Sequence, residues 1–283
     1  SLRGAITNAN ANPGADQIQF ALGTGTPVIN VGSTGLGGLP GITEAVTIIG
    51  NSGGATRIQL NGLAAGTVDG LRILGGATNV TIRSLVISSF GGDGFEILAS
   101  AGQGTIIRNC YIGTNATGAG DLGNSFDGIR INGGTGHFIG GVAPGFADRN
   151  VISGNGAHGI EIASTATGGV AVAFIAANYI GLNALGNTVI PNEGDGLHIA
   201  STGDPACIGG NLSSGNCVFA SGATNVISGN GSDGIEISRL SNGHRIWVNR
   251  IGTNATGTVD AGNVGAGLRV EQRQSYPRQH RFR

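Results

Sequence analysis

The sequence predicts an all-β fold, a single-stranded right-handed parallel β-helix of roughly nine coils with a short capping helix at its N-terminal end. A five-residue motif, Asp-Gly-apolar-x-apolar, recurs at steps of 24 to 38 residues, and such self-similarity is the signature of a solenoid. Each short motif cannot bury a core alone, whereas stacked copies can. Glycine makes up 56 of 283 residues without the three-residue period of collagen. The motif begins at Asp69, Asp93, Asp127, Asp195 and Asp233, with variants at His158 and Ala266.

The N-terminal segment has the apolar spacing of a helix. Leu2, Ala5, Ile6 and Ala9 share one helical face, and the Pro-Gly step at 13–14 should end the helix. A solenoid needs a cover on its first coil, so residues 1–16 are predicted to be a cap and residues 17–270 the β-helix. Short alternating runs at 17–20, 28–31, 45–49 and 57–60 predict the strands of the early coils.

A second apolar run follows each motif and ends in isoleucine. The position two residues before that isoleucine points to the same side of the strand and should face inward near a corner. Stacked inward asparagines can hydrogen-bond one another along the axis, so we expect this column to be structural, with Cys110 buried in it. The column contains Leu85, Cys110, Asn150, Asn178, Asn225 and Asn249.

Two turn types alternate after these strands. Along the chain, longer turns at 113–118, 181–186 and 252–257 alternate with tighter turns at 153–156 and 228–231. The longer turns should therefore emerge on one side at every second coil, and insertions gathered on one face often form a binding surface.

Composition excludes several functional classes and favours a secreted protein. Charged residues are 11%, lysine is absent and the net charge is −1, so nucleic-acid binding is not expected. No apolar run reaches membrane-spanning length, so no membrane insertion is expected. Abundant Asn, Gly and Thr favour a secreted or cell-surface location, although no signal peptide is visible in the chain. Cys207 and Cys217 could pair across a loop in an oxidising compartment. The arginine-rich segment 271–283 departs from the repeat and is predicted to be disordered or foreign.

These strand and turn patterns resemble the right-handed parallel β-helix repeat proteins of bacterial secreted and cell-surface type, within the pectate-lyase-like superfamily. The opening Ser1-Leu2-Arg3-x-Ala5-Ile6, followed by residues 10–20, is similar to the segment that begins many such regions. The resemblance covers about residues 1–270. It implies the fold but leaves activity open, because the same architecture serves lyases, glycoside hydrolases, adhesins and passive stalks.

The outward position of each motif forms a column of alternating charge. Because parallel strands lie about 4.8 Å apart, these residues should be near neighbours that fix register and solubility. The functional alternative is a carbohydrate-binding strip, with Arg binding uronate carboxylates and Glu accepting sugar hydroxyls. The column reads Arg72, Glu96, Arg130, Glu161, His198, Glu236 and Arg269.

The first position of the motif forms a second column, of Asp69, Asp93, Asp127, His158, Asp195 and Asp233. Aspartate before glycine favours a tight turn in which the carboxylate bonds the local backbone, so a turn role is predicted. Stacked carboxylates could instead coordinate Ca²⁺, but one carboxylate per coil supplies few oxygens. No cofactor is therefore expected, with Ca²⁺ as the alternative.

Glu161, Asp195, His158 and His198 form the one plausible catalytic group. The motifs typical of polygalacturonases and pectate lyases are missing, although Arg130 near His158 could serve as a charge neutraliser beside a base. Tyr111, Tyr179 and Trp247 could stack on sugars and join Arg72, Glu96, Arg130 and Glu236 as carbohydrate-binding candidates.

The expected function is a non-catalytic β-helix module, a spacer or glycan-binding surface, with a polysaccharide or cell-surface glycan as partner. The alternative is a polysaccharide-degrading lyase or glycoside hydrolase acting on an extended, uronic-acid-type polymer. An ice- or surface-binding β-helix is a weaker third reading, because no regular Thr-x-Thr array is present.

Overall fold

The computed structural model describes residues 1–98, 104–141, 148–163, 172–203, 205–213, 216–219, 222–238, 241 and 243–271. The predicted arginine-rich tail, apart from Glu271, lies outside these residues. Within them the chain winds through three parallel sheets of eight, eight and seven strands. This arrangement confirms the predicted parallel β-helix.

Seven of the eight described coils contribute one strand to each sheet in turn, and the first coil meets the third sheet through the single bridge of Ile42 with Ile73. The first sheet contains Asp16–Gln19, Val46–Ile49, Thr81–Arg83, Ile106–Arg108, His137–Gly140, Ala173–Ala176, Cys207–Ile208 and Arg245–Ile246. The second sheet contains Val28–Asn30, Ile58–Asn61, Leu85–Ser88, Tyr111–Ile112, Val151–Ile152, Tyr179–Ile180, Val226–Ile227 and Arg250–Ile251. The third sheet contains Leu71–Ile73, Phe95–Ile97, Ile129–Ile131, Ile160–Ile162, Leu197–Ile199, Ile235–Ile237 and Leu268–Val270.

The coils differ in length because their connecting turns differ. Thr81 pairs with Ile106, an offset of 25 residues, whereas Cys207 pairs with Arg245, an offset of 38 residues. The described residues form eight coils, against the roughly nine that the sequence predicted.

The predicted helix is present at Leu2–Ala11 and covers the first coil. Ser1 caps it by accepting a hydrogen bond from the Gly4 amide. Leu2, Ile6 and Ala9 are buried and belong to the same apolar cluster as Ile18 of the first strand. The apolar spacing read from the sequence is thus the face that closes the end of the core.

One continuous apolar core runs along the axis. Isoleucine occupies equivalent places in successive coils, and Ile112, Ile152, Ile180 and Ile227 are fully buried. Burying one such side chain stabilises a fold by about 1.5–3 kcal/mol, so each coil depends on its neighbours for most of its stability.

The predicted asparagine column is confirmed as a buried ladder. The Nδ2 group of Asn150 donates to Asn178 Oδ1 at 3.0 Å, Asn178 to Asn225 at 3.0 Å, and Asn225 to Asn249 at 2.9 Å. The Cys110 amide donates to Asn150 Oδ1, and the Cys110 thiol is buried and unpaired, as expected from its place in the column.

A second asparagine ladder was not predicted. Asn124 donates to Asn155, Asn155 to Asn192, Asn192 to Asn230 and Asn230 to Asn263, at 2.8–2.9 Å. Each of these asparagines stands three residues before the first position of a motif. That constant spacing is a sequence signal that could have identified the ladder.

The Asp-Gly step is a corner of the coil, and its predicted role as a local turn was wrong. Each carboxylate bonds the amide of the equivalent residue in the next coil; Asp93 Oδ1, for example, accepts from the Asp127 amide at 2.8 Å. The glycines lie outside the left-handed region. A Cβ on Gly94 would stand 2.6 Å from the Gly128 carbonyl oxygen, so glycine is required by the close approach of the coils.

The three longer turns stack directly on one another. The Ala184 amide donates to the Gly118 carbonyl, and the Ala255 amide donates to the Gly186 carbonyl, both at 2.8 Å. The predicted emergence on one side at every second coil is confirmed. The turns form a continuous shelf beside the second sheet.

A short antiparallel hairpin, Gly210–Ser213 with Asn216–Phe219, interrupts the seventh coil. Cys207 and Cys217 form a disulfide that ties this hairpin to the first sheet. The pair that the sequence left open is therefore bonded.

Replacing Asn178 with Ala should lower stability by about 2 kcal/mol or more, because Asn150 loses a buried acceptor and Asn225 loses a donor. Thermal unfolding followed by circular dichroism measures the change in Tm. The exposed Asn8→Ala, whose side chain lies on the helix surface, is the control and should leave Tm nearly unchanged. Equal Tm values for both variants would contradict a stabilising ladder.

Candidate functional site

The outward residues of the third sheet lie in one register along the whole sheet. Arg72 pairs with Glu96, Glu96 with Arg130, and Arg130 with Glu161; the series continues through His198, Glu236 and Arg269. We call these seven residues the outer strip. The predicted column of alternating charge is confirmed as a set of direct neighbours.

Opposite charges in the outer strip contact one another across coils. Arg72 Nε lies 3.4 Å from Glu96 Oε2, and Arg130 Nη1 lies 3.1 Å from Glu161 Oε2. Arg269, at the other end, binds the carboxylate of Asp233. Such part-exposed pairs contribute at most about 1 kcal/mol each, so they align the strip more than they stabilise it.

Beside the outer strip runs a ladder of aspartates, which holds each coil to the next. The amides of Asp93, Asp127 and Asp233 each donate to the carboxylate one coil earlier at 2.8 Å. His158 substitutes for aspartate once, and its Nδ1 accepts from the Asp195 amide at 3.0 Å. The side chain at the first position of the motif therefore accepts a hydrogen bond from the backbone amide of the next coil, and either aspartate or histidine can do so.

The four predicted catalytic residues come together on two adjacent coils. Asp195 Oδ2 lies 3.3 Å from His158 Nδ1, and Glu161 Oε1 lies 3.5 Å from His198 Nδ1. The two imidazole rings are tilted against each other with centroids 4.6 Å apart. We call His158, Glu161, Asp195 and His198 the His–carboxylate cluster.

The two histidines have different hydrogen-bond roles. His158 Nδ1 accepts from the Asp195 backbone amide, so a neutral ring carries its proton on Nε2. His198 Nε2 lies 3.1 Å from Ser238 Oγ, while its Nδ1 faces Glu161. Contact with Glu161 raises the pKa of His198 above its ordinary value.

The carboxylates around the cluster have divergent acidities. The hydrogen bond from His198 and the charge of Arg130 lower the pKa of Glu161 to about 2, against the opposing effect of burial. Burial raises the pKa of Asp127 to about 6, and its contact with Glu161 acts in the same direction. Burial raises the pKa of Asp93 to about 7. A protonated Asp127 beside an ionised Glu161 is a chemically competent acid–base pair.

The aspartates and histidines of this region differ in how far their side chains are exposed to solvent. The side chains of Asp127 and Asp195 are 3% exposed, whereas His158 is 26% and His198 22% exposed. The buried aspartates are engaged by backbone amides of the next coil. A ligand on this face would therefore meet Glu161 and the two histidines first.

Asp195, Asp233 and Glu236 are the groups closest to a cation-binding arrangement, with one oxygen of each within 4.8 Å of the others. Ca²⁺ takes six to eight oxygen ligands. Arg269 binds Asp233, and the Asp233 amide binds Asp195, so two of the three carboxylates already have partners. We assign no metal to this group.

The aromatic candidates lie away from the outer strip. Tyr111 and Tyr179 are on the second sheet, and Trp247, 40% exposed, follows a strand of the first sheet. The Arg149 guanidinium lies 3.9 Å from the centroid of the Tyr179 ring, which is only 7% exposed. Arginine and the long turns cover the Tyr179 ring, which leaves little of its surface exposed for the sugar stacking that the sequence predicts.

The Tyr111 ring is also covered on one face, by the Arg57 guanidinium 3.7 Å from its centroid. Arg57 is held there by a hydrogen bond to Asn109 Oδ1 at 2.7 Å. This Arg–Tyr pairing recurs two coils apart, a feature that sequence reasoning missed because the arginines stand in different connections.

No protein-family model, curated protein or solved structure matches this chain. Among the described residues, no helix has the length and apolar character needed to cross a bilayer. The function is therefore inferred from the side-chain geometry of the described residues.

The raised pKa of Asp93 has a consequence for stability. The folded state holds this proton from about pH 4 to 7 while the unfolded chain does not, so the contribution is present below pH 4 and lost as pH rises through 7. Asp93→Asn keeps an acceptor for the Asp127 amide but cannot ionise. We expect it to flatten the fall in Tm between pH 4 and 7.

Thermal unfolding across that pH range measures the effect. Asp93→Ala should lower Tm at every pH because the Asp127 amide loses its acceptor. Asp260→Asn, an exposed turn substitution, is the control and should keep the wild-type slope. A wild-type slope in Asp93→Asn would contradict the assignment.

Proposed function

We propose that this chain is a non-catalytic β-helix module of a secreted or cell-surface protein, which presents a rigid glycan-contacting surface. The observation that supports this proposal is the outer strip, a continuous row of Arg, Glu and His along the third sheet. Neighbours in the strip are about 4.8 Å apart, so an extended polymer would meet charged groups over the length of the rod.

The rod supplies rigidity for such a surface. Three parallel sheets share one core, and the two asparagine ladders and the aspartate ladder join each coil to the next. A module of this kind can also hold neighbouring parts of a protein at a fixed separation. Spacer and binding surface are compatible roles for one solenoid.

The exposed groups of the outer strip have the chemistry that sugars require. The side chains of Arg72 and Arg130 are 44% and 38% exposed, and a guanidinium can bind a carboxylate through two parallel hydrogen bonds. Glu96 and Glu161 can accept hydrogen bonds from hydroxyl groups. The ligand class that combines both is a polysaccharide containing uronic acids.

The proposed secreted or cell-surface location is supported by the disulfide, by composition and by the resemblance to bacterial surface β-helix proteins. A disulfide between Cys207 and Cys217 is stable in oxidising compartments and uncommon in the cytosol. The low content of charge and the absence of lysine support the same location.

The proposal predicts that polymers containing uronic acids retard the protein in affinity electrophoresis, without turnover of the polymer. The double variant Arg72→Gln/Arg130→Gln should reduce retardation by tenfold or more, since two charge-assisted contacts are lost. Arg83→Gln, on the first sheet, is the matched control and should behave as wild type. Equal retardation of the double variant and the control would contradict a glycan surface on the third sheet.

A second candidate function, a polysaccharide lyase or hydrolase, is favoured by one observation. Glu161 of the His–carboxylate cluster has a lowered pKa, and the neighbouring Asp127, outside the cluster, has a raised one; acid–base catalysis uses such a divergence. The cluster lies on an open face, and Asp127 and Asp195 hold the coils together. These two features favour the non-catalytic proposal.

A turnover screen separates the two functions. Neutral and uronic-acid polysaccharides would be incubated with Ca²⁺ or with chelator, following reducing ends and the absorbance of unsaturated products. An enzyme should lose about 10²-fold or more activity in Glu161→Gln and little in Glu96→Gln, which lies on the same strip. Absence of product across the panel would exclude the enzymatic alternative for these polymers.

A further inference from the structure

A groove beside the second sheet is lined by arginine, apolar and hydroxyl side chains without any carboxylate, whereas the outer strip alternates arginine or histidine with glutamate. It lies against the second and third long turns and has a volume of about 370 Å³. Its lining includes two arginines, Arg149 and Arg250, and no acidic residue. The remaining lining residues are Tyr179, Leu185, Gly222, Thr224, Val226, Ala255 and Thr256. We call it the arginine groove.

Stacked turns build one wall of the arginine groove. The Ala255 amide donates to the Gly186 carbonyl, which joins the third long turn to the second across an intervening coil. Arg250 Nη1 donates to the Ala255 carbonyl at 2.8 Å, so its guanidinium is held at the edge of the turn. The wall and one cation are therefore positioned by the same contacts.

The second cation is positioned by the sheet. Arg149 Nε donates to the Ala177 carbonyl at 3.2 Å, and its guanidinium carbon lies 3.9 Å from the centroid of the Tyr179 ring. Partial burial lowers the pKa of Arg149 below its ordinary value. A guanidinium that has lost part of its water shell attracts an anion more strongly than one in bulk solvent. Tyr179 here supports the arginine and does not offer its face to a sugar.

The remaining groups suit a sugar ring. Leu185, 76% exposed, provides apolar surface, and Thr224 and Thr256 provide hydroxyl groups that can donate or accept. Two cations, apolar surface and hydroxyls together complement a pyranose that carries a carboxylate.

The pairing of an arginine with a tyrosine ring also occurs at a second place along the rod. Arg57 covers Tyr111 in the same way that Arg149 covers Tyr179, and the two tyrosines lie two coils apart in the second sheet. That separation is about 10 Å, or two coil spacings, and is close to the length of two linked sugar rings. An extended acidic chain would thus meet guanidinium groups at alternate sugars.

We propose that the arginine groove binds a uronic acid unit of an extended acidic polysaccharide, with Arg250 as the partner of its carboxylate and Arg149 as the second cation that lines the same groove. This inference rests on the proposed glycan-contacting function but assigns the carboxylate to a different face of the rod. In this proposal, residues of the second sheet and its long turns distinguish acidic from neutral sugars.

Calorimetric titration with a galacturonic acid hexamer tests this assignment, with the fully methyl-esterified hexamer as the neutral comparison. Wild type should bind the acid hexamer at least tenfold more tightly than the ester. Arg250→Gln and Leu185→Asp, both at exposed positions, should each weaken binding of the acid by about tenfold or more. Leu63→Asp, 81% exposed at another place, is the matched control for the added charge and should bind as wild type.

The outcomes separate this inference from the proposed function. Unchanged affinity in Arg250→Gln and Leu185→Asp, together with loss in Arg130→Gln, would overturn the groove assignment and keep the glycan surface on the third sheet. Equal affinity for acid and ester hexamers would overturn the carboxylate assignment. Absence of binding by wild type to any hexamer or polymer would overturn both proposals.

Discussion

Hydrogen bonds from coil to coil between buried polar side chains are the interaction on which the rest of this structure depends. Backbone hydrogen bonds join successive coils in the strands and at many turns, but some corner amides, such as those of Asp127 and Asn178, bond a side chain of a neighbouring coil instead. Asn178 illustrates the solution, because its side chain donates to Asn225 Oδ1 and to the Ile139 carbonyl while its own Oδ1 accepts from Asn150. Buried polar groups left unpaired would cost about 1–3 kcal/mol each, so the corners require these side chains.

Close approach of the coils imposes a second constraint. At the motif corners the backbone of one coil lies against the next, and a Cβ on Gly128 would stand 2.6 Å from the Gly159 carbonyl oxygen. The same corners bring carboxylates near enough to accept the next amide. Glycine and aspartate therefore recur together for two separate reasons: the glycine admits the neighbouring coil, and the aspartate bonds it.

This architecture also shapes the candidate site. The aspartate ladder places Asp93, Asp127 and Asp195 along one line. Burial raises the pKa values of Asp93 and Asp127; it acts in the same direction on Asp195, but contacts with His158 and the Asp233 amide outweigh it and lower the pKa of that carboxyl. The divergence resembles that of a catalytic site, yet each carboxylate has a structural partner in the next coil. Perturbed pKa values mark functional sites only statistically, and structural networks perturb them as well. The charged outer strip and the arginine groove, whose cations face outward, are better placed to meet a ligand.

The sequence by itself determined the fold, because repeats of this period have few ways to bury their apolar faces. The helical face of Leu2, Ile6 and Ala9, the inward column of Asn150, Asn178 and Asn225, and the outward column from Arg72 to Arg269 follow from periodicity and position alone. It also brought His158, Glu161, Asp195 and His198 together, since motif positions stack.

The tertiary structure decided which partner each of these groups finds. An Asp-Gly pair reads as a local turn in one dimension, and only the stacked coils show that Asp93 bonds the Asp127 amide. The cover of Arg149 over Tyr179 joins residues from different coils whose intervening connections vary in length. Periodicity specifies which direction a side chain faces, whereas contacts between irregular connections depend on how those connections pack, and packing exists only in three dimensions.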